Sequence, residues 1–461
     1  MIDEKHLQQF TSIVGGENIY SDKAHLIAYS YDATRTKFEP DAVIFPRNED
    51  DISAILKYCN EHKIVIVPRG AGSGFTGGSL PSSGGIVLGF EKHMNKILEI
   101  DMKNMVAIVQ PGLINMDLQR AVEAVGLFYP PDPASQEYST IGGNVSENAG
   151  GMRAAKYGIT KDYVMATRAV LPNGDIIKAG KRTIKDVAGY NISGILIASE
   201  GTLAVLTEIT LRLIPKPKMT KTAVGIFPTV NEAMEAVYKT MASGITPVAM
   251  EFLDNLTIRA VEQVYSKGLP IEAGALLVTD VDGNLEDDLD YQLAQIKKVF
   301  TENGCSEFRI AKDEKEAADI WFARRNASQA ITVYGSKKIN EDVTVPRAVL
   351  PELLEKFYAI GDKYEINIPC FGHTGDGNVH TNVMVDGKDP EQVKIAYKAI
   401  EEVFQATIDL GGTLSGEHGI GLSKAPYMSM AFTDEEMNLF KSIKRAFDPN
   451  NILNPSKMGL D

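Results

Sequence analysis

The apolar positions of this chain change spacing along its length, and the changes mark its elements. Residues 42–45 form an unbroken apolar run between Pro40-Asp41 and Pro46, which reads as a short strand closed by proline. Ile52, Ile55, Leu56 and Cys59 then recur at helical spacing behind Asn48-Glu49-Asp50-Asp51, the polar start of an amphipathic helix. The apolar run 64–67 predicts the next strand. Strand, helix, strand is a compact α/β lobe, preceded by small helices within residues 1–35.

Residues 85–90, 97–100 and 105–109 continue as strands, followed by a helix near 116–125 that Asn115 or Asp117 would cap. A β-rich run ends at Ile214, and Pro215-Lys216-Pro217-Lys218 breaks the pattern. Beyond it the chain repeats strand, helix, strand: 223–227, 230–242 and 248–253, then 274–281, a helix to 303, and 307–310. Such units predict helices covering one face of an antiparallel sheet, a ferredoxin-like arrangement. The expected fold class is α+β, with a first domain at 1–217, a second at 218–415, and a terminal segment, 416–461, too short to be a domain of its own.

Between the strands at 64–67 and 85–90 lies Pro68-Arg69-Gly70-Ala71-Gly72-Ser73-Gly74-Phe75-Thr76-Gly77-Gly78. Gly72 to Gly77 reads G-x-G-x-x-G, but a Rossmann fingerprint needs its third glycine to open a helix. Gly77, Gly78, Pro81, Gly84 and Gly85 allow none. The loop instead predicts a concavity of successive backbone N–H groups in which glycines let the chain approach a diphosphate, with Arg69 adding charge. A turn-rich connection without a ligand is the plainer alternative. Downstream, three prolines in Pro130-Pro131-Asp132-Pro133 hold an extended segment, and 140–151 reads as a second backbone cradle. A third glycine-bearing stretch, 189–194, leads into Ser199-Glu200-Gly201-Thr202.

A chain of 461 residues, 44% hydrophobic and 23% charged, has the composition of an ordinary globular protein of two or three domains. Its formal charge of −14 argues against nucleic acid and against an anionic lipid surface. Cys59, Cys305 and Cys370 are too scattered for a disulfide framework, a thiolate zinc site or an iron–sulfur centre, and fit a reducing compartment. The N-terminus lacks a signal peptide, and no run approaches the roughly 18 apolar residues of a membrane span. A cytoplasmic location is expected, with a peripheral seat at the inner face of a membrane left open.

Three of the seven histidines fall in two short stretches, 372–380 and 416–419. His373 sits on a glycine-rich turn, and His380 shares a strand face with Asn382. Folded together and joined by Glu417, they would make a nitrogen-and-oxygen site with open positions, suited to zinc, manganese or iron. His418 would then act as a base. Turn and capping roles in glycine loops are the alternative.

Taken together, these stretches resemble the flavin enzymes with a vanillyl-alcohol oxidase or p-cresol methylhydroxylase type of FAD domain. Within them the chain is similar to the D-2-hydroxyacid dehydrogenases, such as D-lactate dehydrogenase and the catalytic subunit of glycolate oxidase. The resemblance spans nearly the whole length. It rests on 68–78, 131–135, 140–151 and 199–208, on H-x-G-D-G-N-x-H at 373–380, G-E-H-G at 416–419 and N-P-x-K at 454–457, in that order.

The resemblance implies a two-lobed FAD-binding domain, a substrate domain, and a C-terminal segment returning to the flavin. Pro68, Arg69, Gly70, Ala71, Gly72, Ser73, Gly74, Gly77 and Gly78 would hold the FAD pyrophosphate. Pro131, Asp132, Ser135, Thr140, Gly142, Gly143, Asn144 and Ser146 would line the rest of the cofactor. Glu200, Gly201 and Val205 would follow the adenosine half, and Asn454 would lie near the flavin ring. His373, His380 and Glu417 match the ligands of a divalent metal, zinc first, and His418 the catalytic base. Arg324, three residues after Trp321, matches the arginine that pairs with the substrate carboxylate, with Arg325 as its alternative and Asn382 beside the substrate.

The implied reaction is oxidation of a small (R)-2-hydroxy acid, D-lactate before glycolate, with D-2-hydroxyglutarate as the alternative. Electrons would pass to a separate acceptor: a quinone, a cytochrome, an electron-transfer flavoprotein or an iron–sulfur subunit. The oligomeric state is open, a homodimer included. Two departures matter. Ser73 stands about where covalently flavinylated relatives carry histidine, so the FAD is expected to be non-covalent. Asn340 stands where dicarboxylate-specific relatives carry lysine, with Lys337 and Lys338 close by. Rival readings are a metal-dependent hydrolase, which leaves the glycine stretches unused, and a non-catalytic flavin-binding subunit, which predicts a broken ligand triad.

Overall fold

The computed structural model describes residues 2–460 and divides the chain into two units. The first comprises Met1–Gly150, Ile159–Lys216 and Glu417–Asp461; the second comprises Gly151–Gly158 and Pro217–Gly416. The division is therefore not colinear, since a short excursion after Gly150 and the whole terminal segment change sides.

In the first unit a four-stranded sheet runs Ile19–Tyr20, Ala42–Ile44, Ile86–Gly89, Ile66–Arg69, parallel except for its first pair. Helix Glu49–His62 makes the crossover between Ala42–Ile44 and Ile66–Arg69. Its cap is Asn48, which accepts the Asp51 N–H at 2.9 Å, and Ile52, Ile55, Leu56 and Cys59 are fully buried in one core cluster. Burial of each large apolar side chain in that stripe stabilises by about 1.5–3 kcal/mol, which makes this crossover the anchor of the lobe. An antiparallel sheet follows, in the order Ile97–Asp101, Val106–Val109, Val205–Arg212, Val164–Val170, Ile176–Gly180.

Two local expectations are corrected. Helix Asn115–Glu123 starts from Ile114 with no side-chain cap, because Asn115 and Asp117 already lie inside its first turn; the Asn115 amide donates to the Pro131 carbonyl at 3.2 Å. The second cradle is a helix, Ile141–Glu147, capped by Thr140, which accepts the Gly143 N–H at 3.2 Å. Its glycines serve packing: a Cβ on Gly142 would stand 2.6 Å from Pro111. Beyond helix Asp434–Phe447 the chain lies along Ile66. Ile66 donates to the Ile452 carbonyl and Asn454 donates to the Ile66 carbonyl, both at 2.8 Å, so the tail continues the sheet edge.

The second unit holds one antiparallel sheet in the order Glu307–Ile310, Met219–Phe227, Ala275–Gly283, Ala249–Asp254, Cys370–His373, Asn378–Val385, Lys337–Thr344. Helices Asn255–Tyr265 and Glu314–Ala330 pack on the face bearing Val224, Leu253, Leu276 and Val278. Phe300 of helix Glu286–Glu302 packs on the other face, against Gly225 and Phe227. Helices thus cover both faces instead of one, because the central strands are apolar on both sides and a bare face would leave that surface in water. Among the described residues no helix is long and apolar enough to cross a membrane.

Candidate active site and cofactor cleft

In the second unit, strand register gathers the polar residues. Glu251 stands opposite His373, Phe371 opposite His380, and Asn382 opposite Asn340, so alternation places all of them on one face of the sheet. Helix Glu314–Ala330 crosses that face with a stripe at i, i+3 and i+7. Trp321 Nε1 donates to Asp280 Oδ1 at 3.0 Å, Arg324 Nε donates to Glu251 Oε2 at 2.6 Å, and Ser328 Oγ accepts from Lys338 Nζ at 2.7 Å.

Glu251 is fully buried, and its other oxygen lies 2.7 Å from His373 Nδ1. His373 Nε2 in turn lies 3.3 Å from His380 Nε2, a separation at which two imidazoles can share a proton or a cation. Arg324 also packs over the Phe371 ring at 5.0 Å, and neither of its Nη groups has a hydrogen bond among the described residues. They are open to a carboxylate. Arg325 is not brought to this cluster: it is exposed and donates to the Ala318 carbonyl at 3.0 Å. Asn382 is fully buried, accepting from Asn340 Nδ2 at 2.7 Å and donating to the Pro369 and His380 carbonyls. It braces the strand that carries His380.

Asp342, the strand partner of His380, accepts the Gly416 N–H at 2.8 Å and the Ser415 hydroxyl at 3.0 Å. Glu417 is the next residue along the chain. Burial pushes the Asp280 carboxyl up to about 6 against the donors Thr222 and Trp321. Sequence reasoning missed Glu251, although one signal was present: a carboxylate between Met250 and Phe252, in the middle of a buried strand, is costly to bury unless it is paired.

In the first unit, the glycine loop frames a cleft of about 550 Å³, open solvent included. Pro68, Arg69, Gly70, Gly78, Thr140, Gly142, Gly143, Ser146, Glu200 and Gly201 line it, joined by Glu147, Ala204 and Leu206 from the same stretches and by Ser79, Phe90 and Pro111 from outside them. The N–H groups of Ala71 to Thr76 donate no hydrogen bond among the described residues, and Gly72 takes φ of +66°. No helix follows this loop, and Ala71 to Thr76, with Gly77, are not among the residues that line the cleft. Asn144 Nδ2 is buried without a protein acceptor, and Asn144 is not among the residues that line the cleft.

Of the expected cofactor residues, Arg69 and Glu200 line the cleft and also brace its walls, while Val205 and Pro131 support it from behind. Arg69 donates to the Tyr31 carbonyl at 2.7 Å and lies beside buried Asp32, so its charge is spent on supporting the loop. Glu200 Oε1 and Oε2 accept the N–H groups of Ile420 and Gly421 at 2.7 and 2.8 Å. Val205 is fully buried in the core cluster behind, and the Pro131 carbonyl accepts from Asn115 and Gln119. Pro131, Asp132 and Ser135 do not line the cleft. The His418 carbonyl accepts from Thr76 Oγ1 at 3.2 Å, and its ring lies 5.1 Å from that of Phe75, so the segment bearing Glu417 and His418 is attached to the glycine loop.

Residues 216–458 match the family described as FAD linked oxidases, C-terminal domain, and residues 40–180 match an FAD binding domain. The chain is 44% identical to glycolate oxidase subunit GlcD of Bacillus subtilis, covering 99% of this chain and 97% of that protein. It is 35% identical to a D-lactate dehydrogenase of Anaerostipes hadrus, over 97% of this chain and 94% of that protein. Among solved structures, p-cresol methylhydroxylase superposes with a TM-score of 0.82 at 18% identity, over 99% of this chain and 96% of that one, which speaks to the fold alone. The two family matches and these relatives lead to one conclusion: the chain belongs to the FAD-linked oxidases, and is an FAD-linked oxidoreductase of the hydroxyacid dehydrogenase type.

Proposed function

We propose that this protein oxidises a small (R)-2-hydroxy acid, D-lactate first and glycolate next, to the 2-oxo acid, and passes the electrons to a separate acceptor. The observation that carries the reading is Arg324, fixed through Nε on Glu251 with both Nη groups open, on the sheet face that also bears His373 and His380. A guanidinium held this way offers one carboxylate a forked pair of charge-assisted hydrogen bonds. The names of the two relatives, an oxidase subunit for glycolate and a dehydrogenase for D-lactate, agree with one carboxylate and one hydroxyl.

FAD in the first-unit cleft supplies the acceptor for the C2 hydride, and the free N–H groups of Ala71 to Thr76 suit its diphosphate. Ser73 leaves the attachment non-covalent. A divalent cation on His373, His380 and Glu417, zinc first and manganese or iron as alternatives, would supply Lewis acidity at the substrate hydroxyl. The paired Nε2 atoms and the carboxylate behind His373 are the donor chemistry such a cation takes. His418 accepts the hydroxyl proton, and Arg324 keeps C2 oriented by holding the carboxylate.

One observation favours a second reading, a 2-hydroxy diacid. Lys338 shares the site face of its strand with Asn340 and Asp342, and its ammonium binds Ser328 one helical turn beyond Arg324. Anaerobic mixing with D-lactate, glycolate and D-2-hydroxyglutarate separates the two readings. D-lactate should bleach the flavin fastest, and a flavin that no 2-hydroxy acid bleaches would overturn both.

A further inference from the structure

Glu251 is assigned no role by the motifs or by the relatives, yet its carboxylate meets both halves of the unit-two site, Arg324 through one oxygen and His373 through the other. It is fully buried in the sheet, with Oε2 on Arg324 Nε at 2.6 Å and Oε1 on His373 Nδ1 at 2.7 Å. A carboxylate only accepts hydrogen bonds, so the proton of a neutral His373 must sit on Nδ1. Its Nε2 then carries a lone pair, directed to within 3.3 Å of His380 Nε2. The same carboxylate takes Arg324 by Nε and so turns the two Nη groups outward.

We infer that Glu251 is a positioning residue that sets the His373 tautomer and the Arg324 orientation together, so that a cation site and a carboxylate clamp are built by one side chain. The inference rests on the metal reading above for its consequence, but the tautomer is independent of any metal. Its chemistry is sharp in Glu251→Gln, which keeps the shape. An amide oxygen that accepts from Arg324 Nε presents its NH2 to His373 Nδ1, and that nitrogen must become the acceptor. The proton moves to Nε2, against His380, and the lone pair that would bind a cation is lost.

The test uses the full-length, flavin-loaded protein with 15N-labelled histidine, where seven histidines give a tractable spectrum and His373→Asn assigns the signals. Wild type should show the Nδ1–H tautomer at His373, and Glu251→Gln the Nε2–H tautomer. Zn2+ titration against a competing chelator should give an affinity about 10–100-fold lower in Glu251→Gln, the usual cost of losing a carboxylate behind a ligating histidine. KM for the hydroxy acid should rise more than kcat falls. An Nε2–H tautomer in wild type overturns the inference, even if the variant does not fold. So does a Glu251→Gln protein that keeps both the wild-type tautomer and the wild-type Zn2+ affinity. A wild type that takes up no Zn2+, unchanged in His380→Ala, removes the metal reading instead, and the nitrogen signals still decide the role of Glu251.

Discussion

Asn454 is bound to Glu200 across more than half the length of the chain: its side-chain amide donates to the Glu200 carbonyl at 2.6 Å and to the Gly78 carbonyl at 2.7 Å. One buried group thus ties the glycine loop, the turn at Glu200 and the C-terminal tail. Asn454→Ala would strand two buried carbonyls, and should cost about 1–3 kcal/mol in urea unfolding. It should also release FAD faster on dilution, read by flavin fluorescence. Unchanged stability and release would mean that the tail does not secure the cleft.

Ser73 should leave the flavin free to dissociate on denaturation. Acid precipitation is expected to put the yellow cofactor in the supernatant, and flavin retained on the pellet would contradict a non-covalent site.

Turnover and flavin binding should separate on metal removal. The proposed ligands His373 and His380 belong to the second unit, whereas the cleft is built from the first. Chelation should abolish substrate reduction of the flavin and leave its visible spectrum largely unchanged, and Glu417→Ala should behave the same way. Full activity in metal-free protein would remove the metal from the mechanism.

The engagement of Lys338 should disfavour a diacid substrate. It is held to the Ser328 hydroxyl and carbonyl, and Asn340 beside it is engaged with Asn382, so no cation is set aside for a distal carboxylate. D-lactate should exceed D-2-hydroxyglutarate in kcat/KM by roughly tenfold or more, each tenfold step being about 1.4 kcal/mol. Lys338→Ala should leave D-lactate turnover nearly unchanged. A preference for the diacid that Lys338→Ala abolishes would select the other reading.

Asp280 should make part of the stability depend on pH. Burial raises its carboxyl from 3.8 to about 6 in the folded protein, so between those values the native state binds the proton that the unfolded chain releases. Stability from this group is therefore full below about pH 4 and is lost as pH rises toward and past 6. A shift of that size corresponds to roughly 3 kcal/mol. Measured from pH 4 to pH 7, Asp280→Asn should gain on wild type by up to about that amount. A variant that runs parallel to wild type across the range would show that Asp280 does not titrate there.

The pattern along the chain was enough for the elements with a single apolar stripe. Asn48 and the spacing of Ile52, Ile55, Leu56 and Cys59 specify the first crossover helix because cap and burial act within one segment. That the glycine loop opens no helix was equally readable, since Gly77, Gly78, Pro81, Gly84 and Gly85 disfavour one. The strands of the second unit were read correctly, but not the helices on both faces. Whether the second apolar face of Met219–Phe227 meets a helix is settled by residues such as Phe300, far along the chain. The stretch at 140–147 lines the cleft as a short helix, and the close contact of Gly142 with Pro111 is invisible to local composition. Glu251 is the clearest case. Between Met250 and Phe252 it reads as an anomaly, and only strand register and a crossing helix, which bring His373 and Arg324 to its two oxygens, pair a charge that is otherwise costly to bury.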